Sequence, residues 1–106
     1  MESKLNDLNV DVQIKSPMGW IKVLVDVAME EDNEHFHGTA RLMGYSNDYT
    51  GGTTNGHDYV FDISVKLPFG KLDVHIDAAV EADGMITGSA IVPRRKPMEI
   101  KGHVVV

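Results

Sequence analysis

Three groups of residues in this chain have the types that chemistry needs. His35-Phe36-His37 sets two imidazoles at i and i+2, which share one face of an extended segment. Two imidazoles so placed can ligate a metal, with His75 or His103 joining from elsewhere. A zinc site wants three or four converging ligands. No third ligand is fixed by spacing, and the shared face is the exterior one, so no metal site is expected. Asp73, His75 and Asp77 also share a face, and the hairpin register sets Asp62 opposite His75 with Ser64 and Ser89 nearby. These are the residue types of a nucleophilic triad. Such a site also needs a concave pocket with oxyanion donors, and on a convex wall the same residues read as cross-strand polar pairs. No catalytic residue and no enzyme is expected. The third group is Arg94-Arg95-Lys96, whose meaning depends on which loops it meets.

The elements that position these groups are strands. Ile21, Val23, Val25, Val27 and Met29 alternate with Lys22, Asp26 and Glu30, and Leu72, Val74, Ile76, Ala78 and Val80 alternate with Asp73, His75, Asp77 and Glu81. A period of two with Val and Ile enrichment is the signature of half-buried strands. The spacing predicts eight, over about 8–15, 19–30, 35–43, 48–54, 58–67, 70–82, 85–92 and 98–105. The links between them are short and turn-like, with Pro-x-Gly at residues 17–19 and 68–70, Asn55-Gly56 and Asp83-Gly84. Such turns suit antiparallel neighbours. No Gly-rich phosphate loop precedes a helix, because no helix is evident.

The chain also repeats itself. Pro17, Gly19, Val23, Asp26, Ala28, Glu30, Asp32, Gly38 and Ala40 recur as Pro68, Gly70, Val74, Asp77, Ala79, Glu81, Asp83, Gly88 and Ala90. The strand at residues 10–15 recurs at 61–66, and Gly52 recurs as Gly102. A four-strand unit cannot hide its own apolar face, and doubling it lets the sheet close. The expected fold is all-β, an eight-stranded antiparallel up-and-down barrel over residues 1–106, built from repeats at about 8–56 and 57–106. A two-sheet β-sandwich is the alternative. Val, Ile, Leu, Phe and Met at the inward positions are enough to pack the interior dry, while the inward Gly38/Ala40 and Gly88/Ala90 pairs could also free space within it.

The Pro-x-Gly turn, Asp83-Gly84-x-Ile86-x-Gly88-Ser89-Ala90 and a late Gly102 resemble small bacterial β-barrel domains of uncharacterised function. The resemblance spans nearly the whole chain. Its motifs are turn and packing residues, so it implies a fold and no activity. The architecture is distantly similar to lipocalin-like barrels, which carry apolar ligands. Lipocalins have an early Gly-x-Trp, whereas Gly19 and Trp20 are adjacent here.

In a meander, alternate turns fall at the same end. One end collects Met18, Trp20, Tyr45 and Phe69 beside Arg94, Arg95 and Lys96, and the other collects Glu30, Glu31, Asp32, Glu34, Asp58, Glu81 and Asp83. Apolar and aromatic groups beside cations suit an amphiphile with an anionic head. On the outer wall, alternation sets Trp20, Leu24 and Met43 facing solvent on neighbouring strands, a patch suited to a homodimer, unless the first nine residues, with Leu5 and Leu8, cover it.

Bulk properties narrow the classes. The chain has 106 residues, no cysteine and a net charge of −6. Thiol chemistry and disulfides are excluded, and the acidic balance disfavours nucleic acid and anionic membranes as partners. The N-terminus lacks a signal-peptide pattern, so the expected location is cytoplasmic. The function expected is a non-enzymatic binding domain for a small apolar or anionic amphiphilic ligand, without cofactor. The alternative is a structural or homodimeric interaction module.

Overall fold

The computed structural model describes residues 7–68 and 70–105. The alternating segments form β1 (Leu8–Ser16), β2 (Gly19–Met29), β3 (His35–Leu42), β4 (Tyr45–Thr54), β5 (Asp58–Leu67), β6 (Gly70–Val80), β7 (Met85–Ile91) and β8 (Met98–Val104). Consecutive strands pair antiparallel. β8 returns to pair with β1 from Val10↔Val104 to Ile14↔Ile100, which closes the ring. The fold is a closed eight-stranded antiparallel barrel rather than a sandwich.

The largest boundary difference is at β4, which begins at Tyr45 rather than near residue 48. Met43 and Gly44 form a two-residue turn with φ of 52° and 81°. Two positive φ values are the type I′ hairpin signature. Asn-Gly would have announced that turn, and Met-Gly does not.

Inward rows from all eight strands meet in one core. Phe36 and Ile86 are its largest fully buried side chains. They stand fifty positions apart in the sequence, and each faces a glycine across the ladder, Gly52 and Gly102 respectively. A side chain on Gly52 would run into the Phe36 ring. Ala40 and Ala90 are buried and inward, as the alternation predicts. Gly38 and Gly88 occur where the neighbouring strand's backbone leaves no room for a side chain. A Cβ there would collide with the carbonyl oxygens of Asp26 and Asp77 respectively. Over Gly38 the Tyr49 hydroxyl reaches the Asp26 carbonyl and donates to it at 2.8 Å, linking β4 to β2 across β3. Burial pushes the Tyr49 hydroxyl pKa well up, so it remains a donor at any ordinary pH.

The ring has one weakly laddered joint. β4 and β5 register only Thr53↔Val60 and Thr54↔Tyr59. Between Gly52 and Tyr49, β4 carries an extra residue relative to β3, and Gly51 there has φ of 74°. This is a β-bulge, which bends the strand that holds it. Farther along, a side chain replaces the backbone ladder: Asn47 Oδ1 accepts the Lys66 backbone N–H at 2.8 Å. Asn47 is buried, and its Nδ2 has no hydrogen-bond partner among the described residues.

Tyr49→Phe should cost about 1 kcal/mol of stability. Gly38→Ala should cost more, because it obstructs the same hydrogen bond and forces β2 and β3 apart. Urea unfolding midpoints of both variants against the parent protein would test the ranking.

Candidate functional site

The barrel interior is not filled. A cavity of about 590 Å3 runs inside it, lined by inward side chains from most of the strands, among them Val12, Val23, Ile63, Val74, Ile86 and Ile100. That volume lies within the range of small-molecule sites. Of the two outcomes the inward rows allow, packed or partly open, the second is found, for a reason visible in those rows. Ala40, Ala78 and Ala90 line the space and contribute little volume. The large rings are also concentrated on β3, β4 and β5. Phe36 meets Tyr49, Tyr59 and Phe61 edge-on at 5.5–5.9 Å between centroids, and Tyr49 stacks on Phe61 at 4.1 Å. The other half of the ring has aliphatic side chains only.

The turn residues on the cavity wall all come from one end. They are Pro17 and Met18 of the β1–β2 turn, Met43 of the β3–β4 turn, and Val92 and Arg95 of the β7–β8 turn. No residue of the β2–β3, β4–β5 or β6–β7 turns lines it. The cavity therefore opens at the end where β1 finishes and β2 starts, and among the described residues Arg95 is the only charged side chain on its wall.

The site residues expected from sequence divide accordingly. Met18 and Arg95 border the cavity. Arg94 and Lys96 flank Arg95 in an exposed turn, with Arg94 at φ of 65°. Tyr45 begins β4 with its side chain partly exposed and off the cavity wall. Trp20 faces outward. Lys101 lies over its ring at 4.5 Å and Lys15 at 6.0 Å, within cation–π reach. Phe69 lies outside the described residues. Of the outer-wall trio, Trp20 and Leu24 are exposed on β2, whereas Met43 sits in the rim turn and lines the cavity. Leu8 belongs to β1 and faces the interior rather than covering that wall; Leu5 lies outside the described residues. Met43 escaped notice as a cavity residue because its I′ turn turns it away from the alternation of β3.

Charge divides along the same axis. The segments around the mouth, 14–22, 41–46, 65–72 and 91–99, contain Lys15, Lys22, Arg41, Lys66, Lys71, Arg94, Arg95 and Lys96 against a single carboxylate, Glu99. The segments of the far end, 28–37, 54–59 and 79–86, contain Glu30, Glu31, Asp32, Glu34, Asp58, Glu81 and Asp83 and no Lys or Arg. Eight positive less one negative gives +7 at the mouth, and seven carboxylates give −7 opposite, with histidine neutral.

The two chemical clusters read from sequence are present as surface pairs. Asp62 stands opposite His75 as the register predicts, with Asp62 Oδ1 2.7 Å from His75 Nδ1. Ser64 Oγ donates to Asp73 Oδ1 at 2.6 Å. The serine therefore spends its proton on a carboxylate, not on the histidine, and the relay a nucleophile requires is not assembled. His35 and His37 are both exposed and engage different carboxylates. His35 pairs with Asp32, and His37 Nδ1 lies 3.6 Å from Glu30. Asp32, Glu34 and His35 cluster in the β2–β3 turn. Asp32 is committed there to the backbone N–H groups of Glu34 and His35. His57 bridges Asp58 and Glu81, 3.1 Å from each.

No family model, no curated protein and no solved structure matches the chain.

The far-end pairs set a pH dependence. Hydrogen bonding to Asp32 raises the pKa of His35 above 6.5, and hydrogen bonds to Glu81 and Asp58 raise that of His57. Each histidine stabilises the fold fully below pH 6.5, and that contribution fades as pH rises through its raised value. Backbone hydrogen bonds and His35 hold Asp32 at about 2 against an ordinary 3.8. Its contribution is present above 3.8 and is lost as pH falls toward 2. The urea midpoint should therefore be highest between these limits and fall from mildly acidic to mildly alkaline pH. In a His35→Gln/His57→Gln variant that alkaline decline should flatten.

Proposed function

We propose that this protein is a non-enzymatic binding domain that takes an apolar or amphiphilic small molecule, its anionic head at the mouth, into the barrel. The observation that carries the reading is the coincidence of three features at one end: the opening of a cavity of about 590 Å3, an otherwise apolar or neutral wall, and Arg95 at its edge. Apolar walls reward a hydrocarbon chain by removing it from water. The guanidinium offers a forked, permanently charged partner for a carboxylate or phosphate. The competing reading, a homodimer through Trp20, Leu24 and Met43, draws less support. Two lysines face the Trp20 ring, and Met43 borders the cavity.

A titration with a saturated long-chain carboxylate and with the matching alcohol tests this. The carboxylate should bind, and NMR shifts should gather on the methyl groups of Met18, Met43 and the inward valines. Arg95 is exposed, so its contribution is that of a screened pair. Arg95→Ala should weaken the carboxylate roughly fivefold, for about 1 kcal/mol, and leave the alcohol unchanged. Shifts confined to the acidic turns, or no shifts, would sink the reading.

A further inference from the structure

We propose that the mouth end is a docking surface for an anionic phospholipid bilayer, with the barrel standing upright on it. The proposal rests on the reading above for what the contact delivers, but not for the contact itself.

The net charge of −6 argues against such a partner only if it is spread evenly, and it is not. The mouth segments sum to +7. Lys22 pairs with Asp11 and Arg41 with Asp26. Lys66, Lys71, Arg94, Arg95 and Lys96 form no ion pair with any described residue. Lys66 and Lys71 stand directly opposite each other on the exterior of the β5–β6 hairpin. Like charges facing across a ladder are destabilising. A fold that holds them there presents unneutralised positive charge at its rim. At the far end, by contrast, His35, His37 and His57 each sit against a carboxylate.

Inside this cationic collar the tips are apolar. Met18 is 92 % exposed and Met43 50 % exposed, and Pro17 and Pro93 are exposed beside them. Two residues of the rim turns are held at a backbone cost. Met43 and Arg94 have φ of 52° and 65°, a region that side chains other than Gly, Asn and Asp seldom occupy. The strain at Met43 keeps a thioether chain at the edge of the opening. Apolar tips inside a ring of cations match the depth profile of an anionic bilayer, where acyl chains lie under a negatively charged headgroup layer. A nucleic acid would meet the cations but leave the methionines in water. The cavity also opens through this same surface, so a lipid-derived ligand would pass from bilayer to barrel without crossing solvent.

The test is co-sedimentation of the ligand-free protein with phosphatidylcholine vesicles, with and without phosphatidylglycerol. The protein should bind only the anionic vesicles, and binding should fall as salt rises. A brominated phospholipid should quench Trp20, the single tryptophan, which stands near the rim on β2. Each rim cation near an anionic surface is worth roughly fivefold in partition, so Lys66→Gln/Lys71→Gln should lose roughly 30-fold. Should that variant fail to fold, Lys96→Gln alone should lose roughly fivefold. Glu30→Gln/Glu31→Gln at the far end should change nothing. Equal binding to both kinds of vesicle, binding to neither, or indifference to the lysine substitutions would overturn the proposal, as would preference for a DNA duplex over vesicles. Carboxylate binding measured without vesicles should be unaffected by Lys66→Gln/Lys71→Gln, so a failure of docking and a failure of ligand capture are read separately.

Discussion

The ladder between β1 and β8 is the constraint on which everything else depends. Five residue pairs, from Val10↔Val104 to Ile14↔Ile100, turn a meander into a ring. Without them the inward rows of eight strands would have only one another's edges to hide against, and both sheet edges would be free to pair with other chains. The meander sets which turns share an end, and closure gathers the turns of each end around one axis. The single mouth is a consequence of that ring, because an open sheet would not bring the β1–β2 and β5–β6 turns around one opening.

The ring is uneven, and the unevenness is where its function resides. β3, β4 and β5 bring Phe36, Tyr49, Tyr59 and Phe61 into one aromatic cluster. At the place equivalent to Phe36, fifty positions on, stands Ile86. Swapping a ring for an aliphatic chain leaves space that neighbouring alanines do not recover. The same region carries the β4 bulge and the joint where Asn47 replaces a backbone ladder. Dense aromatic packing and a loosened seam therefore occur side by side, each offsetting the other.

Much of this was legible in the sequence, and the remainder failed for identifiable reasons. Alternation alone located the strands, because a half-buried sheet punishes any one-residue slip. The hairpin register set Asp62 against His75, and alternation turned Ala40 and Ala90 inward. The early start of β4 was hidden because its I′ turn uses methionine where asparagine is usual. The cavity was hidden because a list of apolar inward residues carries no sum of volumes. The lysines over Trp20 were only half visible: Lys15 is its ladder partner on β1, but Lys101 is on β8 and comes near only once the ring is closed. The charge polarity was readable from turn composition, since a meander must alternate its ends.

The placement of the histidines has an electrostatic consequence of its own. Opposite clusters of about seven charges, held roughly 25 Å apart by tilted strands, make the molecule a large permanent dipole. His35 and His57, whose carboxylate partners raise their pKa values, belong to the negative pole, and no histidine belongs to the rim segments. Mild acidification therefore weakens one pole and leaves the other intact. The molecule's net charge rises toward zero while the potential at its opening is nearly constant, so bulk measures of charge and the field a partner meets at the mouth will follow different pH curves.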